Sequence, residues 1–120
     1  LLPYSFQDIA YTVLNYQFNN TKLTKYSQKR LTMIGEYLKE DSDLELVLLD
    51  GYTDSFGGRA TNKQISIRRA VEIKAFFSSM GVAPERIEIT GHGERRHASP
   101  NTNESTRAKN RRVVIRMSKP

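Results

Sequence analysis

From Leu44 to Tyr52 the chain reads LELVLLDGY, a short and almost unbroken apolar run between polar boundaries. That is the pattern of a strand buried on both faces, and it demands cover from elements on either side of it in the sequence. Upstream, Leu23, Ser27, Leu31, Ile34 and Leu38 recur at steps of four or three, which predicts a helix over 24–40 with Lys25, Lys29 and Arg30 off its buried stripe. Downstream, a second helical pattern runs from Asn62 to Met80 and stops at Gly81, with Pro84 soon after. Three more strands are legible. YTVLNYQF, from Tyr11 to Phe18, is rich in aromatic and branched residues and is followed by the turn signal NNT; ERIEITGHG alternates Ile87 and Ile89 with Glu88 and Thr90; and Val113, Ile115 and Met117 alternate with Arg112, Val114 and Arg116 after the polar loop SPNTNESTRAKN. The order is βαβαββ. Right-handed crossovers then place both helices on one face of a mixed sheet, an α/β two-layer sandwich.

A chain of 120 residues is the size of one domain. Its 19 Lys and Arg against 13 Asp and Glu leave a formal charge of +6, compatible with an anionic partner of any kind. There is no cysteine, so neither a disulfide framework nor a thiolate metal site is available. No apolar run approaches the roughly 20 residues of a membrane span, and LLPYSFQ lacks the regions of a signal peptide. We read the sequence as a soluble domain, a fragment of a longer exported chain.

The second helix carries an anomaly. Ile65, Arg69, Ile73 and Phe77 would be a clean core stripe if the second member were apolar. A guanidinium is costly to bury unpaired, so Arg69 must reach water at the rim, pair with an internal acid, or face a groove that receives an anion. Asp54 is the candidate acid, placed just beyond the carboxyl end of the buried strand where α/β sheets leave a crevice. The two charges either tie loop to helix or grip a zwitterion across a groove.

GYTDSFGGRATNKQISIRRA resembles the signature of the OmpA-like peptidoglycan-binding domain, with Gly51, Thr53, Asp54, Asn62, Ile65, Ser66, Arg69 and Ala70 matching in order and spacing. A later family element is matched by TRAKNRRVV, through Arg107, Ala108, Asn110, Arg111, Arg112 and Val113. The resemblance implies an OmpA-like fold in which Asp54 and Arg69 hold the diaminopimelate of a cell-wall stem peptide, with Asn62 and Arg111 near the pocket. It implies peptidoglycan of the diaminopimelate type as partner, no enzyme activity, no cofactor and no metal. Asn19 stands where some members place an acid. Tyr52 replaces the usual histidine as a groove-wall side chain, and Thr106 replaces a glycine before Arg107. The flanking segments, such as VLLDGYTDSFGGR and GVAPERIEITGHGERRH, look like those of a ring component of sodium-driven flagellar motors. That likeness implies a periplasmic, wall-associated place, with basal body and stator partners reached through an amino-terminal domain outside this sequence.

Three other readings compete. His92 and His97, five apart, would face opposite sides of a strand, which argues against a metal or acid-base pair and for loop residues at a sheet end. Arg95, Arg96, Lys109, Arg112 and Arg116 could form a basic patch for nucleic acid, but read more simply as solvated edge-strand and loop charges. An interaction domain that keeps Asp54 and Arg69 as a closed ion pair would preserve the motif without binding wall, and Tyr4, Phe6 and Tyr16 would be its surface aromatics or cover for the sheet edge.

Overall fold

The structure, a computed structural model, describes residues 5–40, 46–55, 57–94, 101 and 103–118. Two long helices, α2 (Lys25–Glu40) and α3 (Arg59–Ser79), alternate with strands β1 (Tyr11–Asn15), β2 (Leu46–Tyr52), β3 (Ile87–Gly91) and β4 (Arg112–Ser118). The sheet order is β1-β4-β2-β3. β2 and β3 run parallel, and β4 lies antiparallel between β1 and β2. This is the mixed sheet of the expected βαβαββ order, an α+β sandwich.

Two short helices were not in that order. α1 (Phe6–Ile9) precedes β1, and α4 (Glu104–Asn110) occupies most of the stretch read as a polar loop. Neither has room for a helical apolar period; α4 is started by Asn103, whose side chain accepts from the Thr106 amide. The first strand ends at Asn15, short of Phe18, because the chain turns at Gln17 to Asn20 with Asn19 at φ 60°. The beginning of the strand run at Leu44, along with Tyr4, Arg95, Arg96 and His97, lies outside the described residues.

The core follows from the predicted stripes. Leu31, Ile34 and Leu38 of α2 and Ala70, Ile73 and Phe77 of α3 pack on Leu14, Val47, Leu49, Val113 and Ile115. Gly51 and Gly91 let α3 approach closely: a Cβ on Gly51 would sit 2.2 Å from the Ser66 carbonyl oxygen, and one on Gly91 would sit 2.4 Å from Ile67 Cγ1.

The second face of β2 corrects the reading of a strand covered on both sides. Both long helices lie on one face, and on the other Leu46 and Leu48 are only half-buried. Asp50 and Tyr52 are buried there by side chains alone. Asp50 accepts from Arg116 and meets His92 Nε2, both at 2.8 Å. Tyr52 lies between the stacked His92 ring and the Arg112 guanidinium, 3.9 Å from its centroid. Arg112 and Arg116 are therefore not edge charges, since β4 is an interior strand. Tyr16 is buried in the core, and Phe6 packs half-buried against Tyr37.

Candidate functional site

The inward face of α3 changes character along its length. Its C-terminal half buries Ala70, Ile73 and Phe77, and its N-terminal half buries Asn62, Ser66 and Arg69. The period that builds the core therefore also carries a polar stripe to the end of β2. Thr53 and Asp54 leave the strand there, the Gln17 to Asn20 turn comes from β1, and Arg111 enters ahead of β4. Together they enclose a small recess lined by Asn19, Asp54, Asn62, Arg69 and Arg111, with Phe18, Thr53 and Ile65 beside them. All the sequence-predicted site residues are brought to one place.

Their pairing differs from the expected one. Arg69 is 1% exposed and neither reaches water nor bonds to Asp54. It donates from Nε to the Asn20 carbonyl at 2.9 Å, from Nη1 to Tyr52 at 3.1 Å and from Nη2 to Gln17 at 3.3 Å. Its guanidinium carbon lies 4.7 Å from the Tyr16 ring centroid. Burial pushes its pKa down to about 10, with Tyr16 pulling upward, Arg111 downward and Asp54 upward, so the group is charged at neutral pH.

The acid belongs to Arg111. That guanidinium donates to Asp54 Oδ2 at 2.8 Å, to Glu104 Oε1 at 2.5 Å and, through Nε, to the Tyr16 carbonyl at 2.9 Å. Burial lowers the Arg111 pKa, but the hydrogen bonds to Glu104 and Asp54 outweigh it and hold it above the ordinary value. Arg111 in turn holds Glu104 below the usual carboxylate range. Asp54 and Arg111 have side chains only 3% exposed, whereas Glu104 is 65% exposed. Asn62 reaches the Asp54 carbonyl at 3.4 Å, steadying the loop. The Thr53 amide donates to Gly93, and the Gly93 amide donates to Ser66 Oγ, which fastens the end of β3 to the same corner.

Sequence reasoning missed Glu104, Thr53 and Tyr16 as recess neighbours. Glu104 follows Asn103 as an acid in the first turn of α4, a place that the sequence did not show because that stretch read as a polar loop. Thr53 had its place in the matched signature beside Asp54, and Tyr16 had none; both hydroxyls are buried with no hydrogen-bond partner among the described residues, and burial raises the Tyr16 phenol to about 12. His92 ends up half-buried on Asp50 and Tyr52, and no group of three or more metal-ligating side chains occurs among the described residues.

The model of the OmpA family matches residues 15–111, which takes in the recess, both long helices and strands β2 and β3. The chain belongs to the OmpA family. It is 44% identical over 115 residues to the sodium-type flagellar protein MotY of Vibrio parahaemolyticus, covering 96% of this chain and 39% of that protein. It is 34% identical over 97 residues to the outer-membrane lipoprotein YfiB of Pseudomonas aeruginosa, covering 81% of this chain and 57% of the relative. This OmpA-family chain thus spans roughly two fifths to three fifths of these relatives' lengths. Among solved structures, the peptidoglycan-associated lipoprotein of Burkholderia pseudomallei superposes with a TM-score of 0.84 at 23% identity, covering 88% of this chain and 89% of the other. The C-terminal domain of Helicobacter pylori MotB gives 0.80 at 17%, covering 91% and 85%. At such identities the likeness speaks for the fold alone. No helix among the described residues is long and apolar enough to cross a membrane.

Proposed function

We propose that this domain binds peptidoglycan without catalysis, through the diaminopimelate of the stem peptide. The observation that carries the reading is Arg69: a guanidinium sealed from bulk solvent, lining a recess, whose hydrogen bonds all go to uncharged carbonyls. Burying a cation among neutral partners is costly, and an anionic group entering the recess would offset that cost. Asp54 shares the recess and meets an amine. Diaminopimelate in an uncrosslinked stem presents a free amine and a free carboxylate on one carbon, which suits an acid and a guanidinium together. Lysine at that stem position has the amine without the carboxylate, so Arg69 rejects lysine-type wall. Asn62 steadies the Asp54 loop, Arg111 orients the Asp54 carboxylate, and Asn19 shapes the turn that presents its backbone to Arg69.

The wider role rests on the likeness to the flagellar protein MotY. This domain is the wall anchor of a MotY-like T-ring component in the periplasm, part of a longer exported protein whose amino-terminal domain joins the basal body, and it helps place stators. Co-sedimentation of the domain with diaminopimelate-type and lysine-type wall sacs tests the ligand. Wild type sediments with the first only, and Asp54→Asn with neither; equal binding to both kinds of sac overturns the assignment.

One observation favours a second reading. Asp54 is already bonded to Arg111 at 2.8 Å, which is what a protein-interaction domain with a closed ion pair and no wall ligand would show. Failure of wild type to sediment with either kind of sac would favour it.

A further inference from the structure

The charges bonded into the recess do not balance without Glu104. Arg69 and Arg111 are both cations, and both are almost fully buried. Asp54 offsets one of them through its bond to Arg111. The second carboxylate is Glu104, which holds the other arm of the same Arg111 guanidinium at 2.5 Å. Two cations then face two carboxylates. The balance is uneven in space: among the described residues Arg69 has no acid bonded to it, while Arg111 has two. One end of the recess therefore carries an excess positive charge and the other an excess negative charge.

We infer that Glu104 is a specificity-determining residue, whose charge makes the recess select a zwitterion over a simple carboxylate. This deepens the proposed function and rests on it. Without Glu104, Asp54 and Arg111 cancel, Arg69 remains, and the recess becomes a net cationic seat that a plain carboxylate fills as well as a zwitterion does. With Glu104 present, an amine beside Asp54 meets a carboxylate whose countercharge is shared. A charge one guanidinium away acts well within the roughly 10 Å screening length of about 0.1 M salt. Glu104 is suited to this because its side chain is 65% exposed, so its removal opens no cavity. Its other charged neighbour is Arg107, at the looser distance of 3.7 Å.

The experiment measures binding of free meso-diaminopimelate and of pimelate, the same diacid lacking both amines, to wild type, Glu104→Gln and Glu104→Asp, with thermal melts run alongside. Wild type prefers diaminopimelate. Glu104→Gln, isosteric and uncharged, narrows that preference by about threefold to fivefold, the range expected of one partly solvated charge, and Glu104→Asp retains most of it. An unchanged preference in Glu104→Gln, or tighter binding of diaminopimelate, overturns the inference and leaves the proposed function standing. Loss of the preference in Glu104→Asp also overturns it, because the charge is kept there. If wild type binds neither diaminopimelate nor wall sacs, the proposed function fails first and this inference with it.

Discussion

Arg69 and Arg111 divide the work at the scale of single residues. Arg69 ties three carbonyls that are far from it in the chain, at Gln17, Asn20 and Tyr52, so it is part of the fold as much as of the recess. A rim position, one of the three that the sequence left open, would have made it removable at little cost to folding; buried hydrogen bonds from a charged donor instead contribute about 1.5–3 kcal/mol each, so Arg69→Ala should destabilise the fold. Arg111→Ala removes the guanidinium bonded at 2.8 Å to the buried Asp54 carboxylate, and denaturant unfolding should show a loss of about 3–5 kcal/mol. Asp50 provides a pH test away from the recess. Burial raises its pKa, but the hydrogen bonds from His92 and Arg116 prevail and hold it below the ordinary value. A carboxyl depressed in the folded state contributes stability above its unfolded pKa of about 3.9 and loses it as pH falls through the folded pKa. Unfolding followed from pH 6 downward should therefore show an acid limb that begins near pH 4, and Asp50→Asn should make that limb shallower.

At the scale of elements, the approach of α3 to the sheet decides where the recess lies. Gly51 and Ser66 set that approach, because the three nearest atoms that a Gly51 Cβ would meet are backbone atoms of Ser66 in α3. Gly51→Ala forces helix from strand and should cost about 3 kcal/mol in a denaturant melt, with wall binding weakened in proportion to the shift of Asn62 and Arg69. Gly35→Ala is the contrast. Its Cβ would fall 2.5 Å from Met80 Sδ, but that is the far end of a flexible side chain, so the cost should be below about 1.5 kcal/mol. Equal destabilisation by the two substitutions would mean that α3 is free to move. The long helices were legible because their stripes repeat over several turns. α4 was not, because seven residues with Asn110 alone buried leave no apolar period to read.

At the scale of the whole molecule, the proposed function is a matter of attachment. A stator pushes a rotor and must be held against the reaction force, so a ring that places it gains from a hold on the covalent wall. A single domain of modest affinity is a weak anchor, while many copies in a ring outlast any single contact. In cells carrying the full-length protein, Asp54→Asn with Arg69→Lys should lower swimming speed and stator recruitment more than it lowers protein level or ring localisation. Unchanged swimming alongside demonstrably lost wall binding would remove the anchoring role and leave the ligand assignment intact.

The sequence by itself determined the elements whose cause is local. The stripe of α2, the apolar run of β2, the glycine stop at Gly81 with φ 97°, and the spacing that puts Asn62, Ser66 and Arg69 on one face of α3 all depend on residues within a few positions of one another. The resemblance also named five residues that line the recess, Asn19, Asp54, Asn62, Arg69 and Arg111. Only the tertiary structure decided which charge meets which. Asp54 and Arg111 are 57 positions apart, Arg69 bonds to turns 49 and 52 positions away, and Arg111 bonds to a carbonyl 95 positions away. A hydrogen bond needs its partners placed to within a few tenths of an ångström. That placement comes from β4 returning between β1 and β2, which no local pattern of apolar and polar residues encodes.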